Sequence, residues 1–475
     1  MNKRFRVCDL NQVFLLPPCL QDWLPEDHLA RFIADVSHEL DLSAIYAEYE
    51  RKDGRGLAAY HPLLVTRVLL YGYAIGVTSS RRIEQATHDD VAFRYLAADQ
   101  HPDHDTIAAF RQEHLEALAG LFVQALRLCQ KAGLVKLGNV AIDGTKIMAN
   151  ASTHRSVPYQ KLTEREQHWK DTVDRLLQNA EQTDQEEDRQ WGKGQPADPL
   201  PAELAHAQSR LERIRQAKTE LEQEAKRELE IAQQNFTPGK PGRPRKDEEA
   251  GAQREDPQRR QREKVRYRRA RKNAEQPTRQ YNFVDPDSRV MMDNGRKCYV
   301  QAYNAQAAVD AHAQVIVAAE LTQQVMDRQQ LIPMVEAVQA ATGSQPETIT
   351  ADAGYWNTVS LRDAALAGIQ VLVSPDAKPL APDAPLPPTV PHNEDARRMR
   401  ERLASATGKA LYATRKAVVE PVFGQIKEAR NLRRFRLRGL KNASGEWKFI
   451  CATHNLLKLF RHRIGLTPDV GLATA

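Results

Sequence analysis

Residues 139–150 read NVAIDGTKIMAN, and residues 347–356 read ETITADAGYW. Each stretch is a short apolar run rich in β-branched residues, which is the pattern of a β-strand. In both, an aspartate follows the run and stands close to a glycine, namely Asp143 and Asp352. A lone strand aspartate is most often a strand-end or turn residue. Two of them at the carboxyl ends of neighbouring strands would converge on one site, at the edge where open α/β sheets bind ligands.

Further strand patterns, with helix patterns between them, predict an α/β architecture built on one mixed sheet. These strands are expected at 288–293, 297–311, 313–322 and 369–375, with a turn near His312. Helices are expected at about 326–341 and 357–367, and, beyond a proline-rich linker at 381–391, at about 394–430 and 446–461.

Residues 1 to about 135 have the apolar spacing of helices, so we expect an all-α domain ahead of the sheet. The clearest patterns lie at 61–76 and 104–130. Asp105 or Thr106 could cap the second of these helices, which begins after Pro102.

The stretch 154–277 is strongly hydrophilic and interrupts the strand patterns, so we expect an insertion outside the sheet. Within it, apolar residues at helical spacing predict a helical hairpin: Leu204, Leu211, Ile214, Leu221, Ala225 and Leu229. The remainder, 236–277, is too polar to bury itself and is expected to be a flexible tail. Without the insertion, the interval between Asp143 and Asp352 is about 85 residues, a normal size for a small α/β core.

The composition excludes several classes of protein. With 475 residues, 41% hydrophobic and 27% charged, the chain reads as a multidomain globular protein, and no apolar run approaches a membrane span. The N-terminal apolar run is interrupted by polar residues, so we expect no signal peptide and a cytoplasmic location. Five scattered cysteines with no C-x-x-C pair argue against disulfides and a thiolate zinc site. The net charge of +6 is mild but locally clustered, which keeps nucleic acid among the possible partners.

A third acid is expected if the two aspartates hold hard cations, because two closely spaced Mg²⁺ ions need carboxylates from several chain segments. Glu420, in YATRKAVVEPVFGQIK (412–427), is the candidate. Lys427 follows it by seven residues, two helical turns on, and is expected on nearly the same face. A solvated amphipathic helix is the alternative, but Pro421 inside it indicates that local geometry is set by something other than helix propensity.

Together these motifs resemble those of bacterial insertion-sequence transposases, which have an RNase H-like catalytic core and a DDE triad. The AIDGT and ADAGYW contexts match the first and second aspartates, and 412–427 matches a Tyr, Arg, Glu, Lys signature at Tyr412, Arg415, Glu420 and Lys427. One more residue than usual separates Arg415 from Glu420, so Lys416 could take the basic role. The helical region with DHDTIAAFR (103–111) also resembles the domain that precedes this core.

The resemblance implies an RNase H-like mixed-sheet catalytic domain at 136–465, preceded by a helical DNA-binding domain at 1–135 and carrying the insertion at 154–277. It implies Mg²⁺-dependent cleavage at transposon ends and strand transfer into target double-stranded DNA. Asp143, Asp352 and Glu420 would hold two Mg²⁺ ions, for which Mn²⁺ would substitute. Lys427 and Tyr412 would hold the DNA backbone, and a homo-oligomer would pair the two ends.

Basic residues elsewhere also suggest DNA contacts. The segment 427–441 carries seven Lys or Arg interleaved with apolar residues, and we favour DNA contact over a merely solvated face for Arg433, Arg434, Arg436 and Arg438. The motif KPGRPRK (240–246), with Arg243 and Arg245, resembles a minor-groove AT-hook, although a disordered linker explains it equally well. In the N-terminal domain, the arginines expected to bind transposon ends are Arg81, Arg82, Arg94 and Arg111.

Two rival functions share these features. A structure-specific nuclease would use the same triad but never join strands. A non-catalytic DNA-binding protein derived from a transposase is less consistent with the sequence, because all three acids are in place.

Overall fold

The computed structural model describes residues 19–51, 58–191, 202–235, 257–293, 295–376 and 394–465. Arg243 and Arg245 of the AT-hook-like motif and the proline-rich stretch 381–391 lie outside the described residues. The described parts of Met1–Asn150 and Asp287–Ala475 form one compact unit, and those of Ala151–Pro286 form a second.

A six-stranded mixed sheet is the centre of the first unit. Its strands are β1 (Asn139–Met148), β4 (Arg289–Asp293), β5 (Cys298–Asp310), β6 (Ile316–Thr322), β7 (Thr348–Ala351) and β8 (Gln370–Val373). The order across the sheet is β4, β5, β1, β7, β8, and β6 pairs with the same edge of β5 as β4 does. The sequence-based prediction of one mixed sheet is confirmed.

Pairing directions divide this sheet into two halves. β5 runs antiparallel to β1, β4 and β6, whereas β7 runs parallel to β1 and to β8. Val140, Ala141 and Ile142 at the start of β1 are all fully buried, as expected of a central strand covered on both faces. The parallel half therefore brings the carboxyl ends of β1 and β7 to the same edge.

Helices surround this sheet and precede it in the chain. Before β1 lie α1 (Leu29–Val36), α2 (Ser43–Arg51), α3 (Pro62–Ile75), α4 (Ser80–Asp89), α5 (Val91–Leu96), α6 (His104–Glu113) and α7 (Leu115–Lys131). After β6 come α11 (Leu331–Thr342), α12 (Glu394–Ala404), α13 (Ala406–Gly424) and α14 (Leu440–Arg463). α7 packs along α14, so the N-terminal helices and the sheet belong to one compact unit. The division into a DNA-binding and a catalytic domain stays a prediction.

Two helix predictions need correction. The helix expected at 104–130 is broken at His114, and its cap is Asp103, whose carboxylate accepts the Thr106 N–H at 2.6 Å, so neither Asp105 nor Thr106 is the cap. The helix expected at 357–367 is two short 3₁₀ turns, Ser360–Arg362 and Ala364–Leu366. Asp363 between them caps the second turn instead of continuing a helix, because its side chain accepts the N–H of Ala365.

A buried polar network joins the N-terminal helices to the C-terminal part of the first unit. Arg111 donates to the hydroxyl of Tyr73 and to the carbonyl of Thr78, and Tyr73 donates to Glu446 on α14. Glu446 also accepts the backbone N–H groups of Arg436 and Leu437. Arg111 is therefore a buried structural residue, and the expectation that it contacts DNA is wrong.

The second unit is largely helical, as predicted. It contains α8 (Tyr159–Trp191), α9 (Ala202–Asn235), α10 (Pro257–Glu275) and a two-stranded sheet of β2 (Ser156–Pro158) and β3 (Gln280–Asn282). α8 and α9 pack as a hairpin whose core includes Leu204, Leu211, Ile214 and Leu221. The expected flexible tail is wrong from 257 onward, because α10 is a helix that packs on α9 through the buried Ala270.

No single helix in the described part of the chain is long and apolar enough to cross a membrane. One bent pair, α3 with α4, reaches the required length and composition only when its two helices are taken together.

Candidate active site

Asp143 and Asp352 lie side by side at the edge of the sheet. In the parallel pairing, Ile142 is opposite Ala351. Asp143 follows Ile142 midway along β1, and Asp352 is the first residue after β7. The two carboxylates are neighbours, but the prediction that each stands at a strand end is wrong for Asp143, because β1 continues to Met148 in its pairing with β5. Each carboxylate is held by local backbone: Asp143 accepts the N–H of Gly144 at 2.8 Å, and Asp352 accepts that of Gly354 at 2.9 Å.

The electrostatics of this pair disfavour two negative charges. Burial, and then the neighbouring carboxylate of Asp352, raise the pKa of Asp143 to about 7. Burial also raises the pKa of Asp352, against the lowering effect of its backbone hydrogen bond. Because desolvation and like charge both favour the neutral acids, a cation at this edge would relieve a real electrostatic penalty.

A third carboxylate, Asp327, lies close enough to raise the pKa of both aspartates. It stands in a 3₁₀ turn, Asp327–Gln329, just after β6. Its Oδ1 accepts the side-chain amides of Asn304 and Gln306, each at 2.7 Å. Asp327 was not predicted from the sequence, because its VMD context carries no strand-end or glycine signal that could have marked it.

Gly144 is explained by this cluster. A Cβ at residue 144 would lie 2.3 Å from Nε2 of Gln306, 2.7 Å from Oδ1 of Asp327 and 2.8 Å from Oδ1 of Asn304. Such contacts are far below van der Waals distance, so no larger residue fits unless these side chains move. The glycine after Asp143 therefore permits the polar side chains of β5 to cross over β1.

Tyr355 and Lys146 complete the surroundings of the three acids. The hydroxyl of the buried Tyr355 donates to Oε1 of Gln306, which orients that amide towards Asp327. Nζ of Lys146 lies 4.0 Å from Asp327 and donates to the carbonyl of Val325 at 2.9 Å. Burial lowers the pKa of Lys146, and the three carboxylates oppose this effect.

Arg415 on α13 is the cation nearest to the paired aspartates. One of its guanidinium nitrogens is 3.6 Å from Oδ2 of Asp143, and its Cζ lies 5.8 Å from the ring centre of Tyr412. Lys416, the alternative basic residue of the signature, is exposed. Of the two candidates for the basic role, Arg415 is thus the one that meets the sheet edge.

Glu420 lies on α13 as predicted, but its side chain is exposed. No hydrogen bond or ion pair joins it to any other residue that the structure describes. In those same residues, no group of three or more His, Cys, Asp or Glu side chains is arranged to hold a metal ion. The structure therefore brings two members of the proposed triad together and leaves the third apart.

The hydrogen bond that Pro421 removes from α13 is replaced by one from outside the helix. It lacks the N–H that would bond to the carbonyl of Ala417, four residues earlier in α13. That carbonyl instead accepts Nε2 of Gln314 at 3.0 Å. The turn between β5 and β6 thereby satisfies the acceptor that the proline leaves free.

Lys427 lies in a π-helical turn, Gln425–Ala429, directly after α13. Its Nζ donates to Oγ1 of Thr145 at 3.0 Å and to the carbonyl of Lys146 at 3.2 Å. Because a π-turn rotates the chain less per residue than an α-turn, Lys427 reaches β1 while Glu420 is exposed. The prediction that these two side chains share one face is wrong.

The basic segment after the π-turn is extended along the end of β1. Met148 of β1 donates its N–H to the carbonyl of Arg433, and Phe435 donates to that of Met148. Side chains alternate from Arg434 to Arg438, where Phe435 and Leu437 are buried, and Leu432 before them is also buried. Arg434, Arg436 and Arg438 are exposed, whereas Arg433 is half-buried and paired with Glu428. A row of guanidinium groups therefore lies on the open side of the segment.

Comparison with protein families gives two matches, both to transposases. Residues 18–113 match a transposase domain (DUF772), and residues 388–460 match a transposase DDE domain. Both matches, together with the acidic sheet edge beside α13, support an insertion-sequence transposase of the DDE class. Neither a comparison with curated proteins nor one with solved structures gave a significant match.

The two matches fall on different parts of the site. The DDE-domain match contains α13, Glu420, Lys427 and the basic segment, but neither Asp143 nor Asp352. The other match contains most of the N-terminal helices and ends just beyond Arg111.

Proposed function

We propose that this transposase cleaves DNA at transposon ends and joins the freed 3′ hydroxyl groups to target DNA in a divalent-metal-dependent reaction. The observation that supports it most directly is the pair of neighbouring carboxylates, Asp143 on β1 and Asp352 just after β7. An RNase H-like core is part of the proposal and is consistent with the antiparallel strands β1, β5 and β6 and the parallel strands β7 and β8, to which β4 adds a further antiparallel strand.

The donor set fits Mg²⁺. Both aspartates present carboxylate oxygens, which this hard cation prefers, and their surroundings raise the pKa of each. When bound, two Mg²⁺ ions would neutralise the phosphate and polarise the attacking and leaving oxygens. Mn²⁺, which takes the same oxygen ligands, is expected to substitute.

The chain's own residues would hold the substrate around this centre. Arg415, beside Asp143, is placed to balance the negative charge of the aspartates and to contact a phosphate. Lys427 fixes the position of Thr145 and Lys146 on β1 through its two hydrogen bonds. The exposed arginines at 434, 436 and 438 would bind the phosphate backbone on the open side of the segment.

Two residues compete for the role of third acid. Glu420 is assigned by the motif, whereas Asp327 is assigned by proximity to Asp143 and Asp352. We propose Glu420 as the third metal ligand when DNA is bound, and Asp327 as a positioning residue. Asp327 holds the Asn304 and Gln306 amides over Gly144, so it would keep the Asp143 carboxylate in place.

The test is Mg²⁺-dependent cleavage of an end-containing duplex by four matched variants of the full chain. Asp143→Asn, Asp352→Asn and Glu420→Gln should each lower the cleavage rate by several orders of magnitude, because each removes a charged metal ligand. The control is Glu336→Gln, which changes an exposed acid on α11 and should leave cleavage unchanged. DNA binding should survive in all four proteins.

Asp327→Asn separates the two roles. If Asp327 is a positioning residue, Asp327→Asn should keep some cleavage activity. Replacing Mg²⁺ by Mn²⁺ should then not raise the activity of this variant more than that of the unmodified chain. If Glu420→Gln cleaves normally while Asp327→Asn is inactive, the assignment of the third ligand is wrong. A structure-specific nuclease is the second candidate, and failure of an active enzyme to join a 3′ end to target DNA would favour it.

Pairing of two transposon ends also leads us to propose that a homo-oligomer assembles on DNA. The helical region 1–135 is proposed to bind the ends, with the exposed Arg81 and Arg82 among the cations that contact DNA.

A further inference from the structure

α10 is the most cationic helix in the described part of the second unit. From Lys264 to Lys272, six of nine residues are Lys or Arg, and all six side chains are exposed: Lys264, Arg266, Arg268, Arg269, Arg271 and Lys272. Within the described residues, one of them has a carboxylate partner, since Arg271 lies 3.3 Å from Glu275. No ion pair joins the other five to a carboxylate among the residues that the structure describes.

Three of these cations form one stripe along the helix. Lys264, Arg268 and Lys272 are spaced four residues apart, so their side chains follow one another on the same face. The stripe spans roughly 12 Å at 1.5 Å per residue, which is about the width of the major groove of B-DNA.

The opposite side of α10 is attached to α9. Ala270 is buried there, and the side-chain amide of Asn273 donates to Glu228 at 2.9 Å. Ala270 lies about 160° around the helix from Arg268 at 100° per residue, so packing on α9 turns the stripe outward. Its direction is therefore determined by the fold of the second unit.

The stripe opposes helix formation by itself. Like charges four residues apart destabilise a helix, and the stripe contains two such pairs. α10 also has little apolar surface to compensate, because Val265 is exposed and Ala270 alone is buried among its described side chains. A polyanionic partner would remove this repulsion.

We propose that the stripe of Lys264, Arg268 and Lys272 on α10 binds the phosphate backbone of duplex DNA. This contact would lie in the second unit, outside the unit that contains Asp143 and Asp352. This rests on the proposed function only in taking duplex DNA as the substrate. Phosphates are the partner that fits, because a regular row of cations recognises charge rather than sequence. The contact is therefore sequence-independent.

The experiment measures the affinity of the full chain for duplex DNA as a function of salt. The test variant is Lys264→Gln, Arg268→Gln and Lys272→Gln together. The matched control removes three exposed cations from α9 of the same unit: Arg213→Gln, Lys226→Gln and Arg227→Gln. Both variants lose the same charge, so a difference between them reports the position of the cations.

Each lost phosphate contact should lower the slope of log affinity against log salt by roughly 0.9. We expect the test variant to lose about 2–3 in slope and to bind on the order of 10- to 100-fold more weakly at about 0.1 M salt, equally for end-containing and unrelated duplexes. The single variant Arg268→Gln should lose about 1 in slope. The α9 control should match the unmodified chain.

Circular dichroism should show full helix content in the test variant, since removing like charges relieves repulsion. Equal slopes for the test variant and the α9 control would overturn the proposal, as would a loss confined to end-containing duplexes. Failure of this proposal can be told apart from failure of the proposed function. Asp143→Asn tests cleavage and should bind DNA with an unchanged salt slope. The α10 variant tests binding and should cleave at the normal rate once the DNA is saturated with protein.

Discussion

Gly144→Ala tests whether the polar side chains of β5 really cross over β1 beside Asp143. The added methyl group would meet Nε2 of Gln306 at 2.3 Å and Oδ1 of Asp327 at 2.7 Å. Gln306 cannot retreat freely, because it is fully buried and also accepts the hydroxyl of the buried Tyr355. The substitution should therefore break at least one hydrogen bond to Asp327.

The magnitude follows from two effects. Overpacking a filled site lowers the free energy of unfolding by about 1–3 kcal/mol. Loss of a hydrogen bond to a charged group removes roughly 1.5–3 kcal/mol more. We expect Gly144→Ala to be less stable than the unmodified chain by about 3 kcal/mol in urea-induced unfolding, with a large loss of cleavage.

Gly120→Ala is the matched control. Gly120 lies in α7 with nothing within 4 Å of an added Cβ, and it is exposed. Alanine has the higher helix propensity, so this change should stabilise the protein by about 1 kcal/mol and leave cleavage intact. A Gly144→Ala protein as stable and active as the unmodified chain would refute the crossing of β5 side chains over β1.

Three other changes probe the first unit. Burial lowers the pKa of Lys458 from 10.5 to about 8. The unfolded chain therefore holds this proton more tightly than the folded chain does, and the free energy of unfolding should rise by about 2 kcal/mol between about pH 7.5 and pH 10. Lys458→Met should flatten that rise in urea unfolding at both pH values, and an unchanged profile would contradict the buried placement. Glu446→Leu should lower the free energy of unfolding by about 3 kcal/mol, since it leaves two backbone N–H groups and Tyr73 without an acceptor; a neutral result would mean that the network near Arg111 is not formed. Arg81→Gln with Arg82→Gln should weaken binding to transposon ends and reduce the salt slope by about 2. If the double variant binds the ends as tightly as the unmodified chain, these two arginines do not contact the end DNA.

Periodicity and local motifs determined much of this fold. The strand patterns around Asp143 and Asp352 depend on alternation over a few residues, and the sheet has strands at each predicted place. The α8 and α9 hairpin likewise follows from apolar residues at helical spacing. Such features can be predicted from sequence because each residue's preference depends on its chain neighbours. The prediction was wrong where one side chain formed a local hydrogen bond that the apolar pattern does not show. Asp363, which caps a 3₁₀ turn, ended a helix that the apolar pattern favoured.

The tertiary structure decided which polar groups meet. Asp327 belongs to no motif, yet the pairing of β5 with β6 brings it against Asn304 and Gln306. Arg111 reads as a surface cation in sequence and is buried against Tyr73. The π-turn rotates Lys427 onto β1, and Gln314 supplies the donor that Pro421 removes. These contacts join residues distant in sequence, and strand register and helix packing select them because burying a polar group is favourable only where the fold supplies its partner.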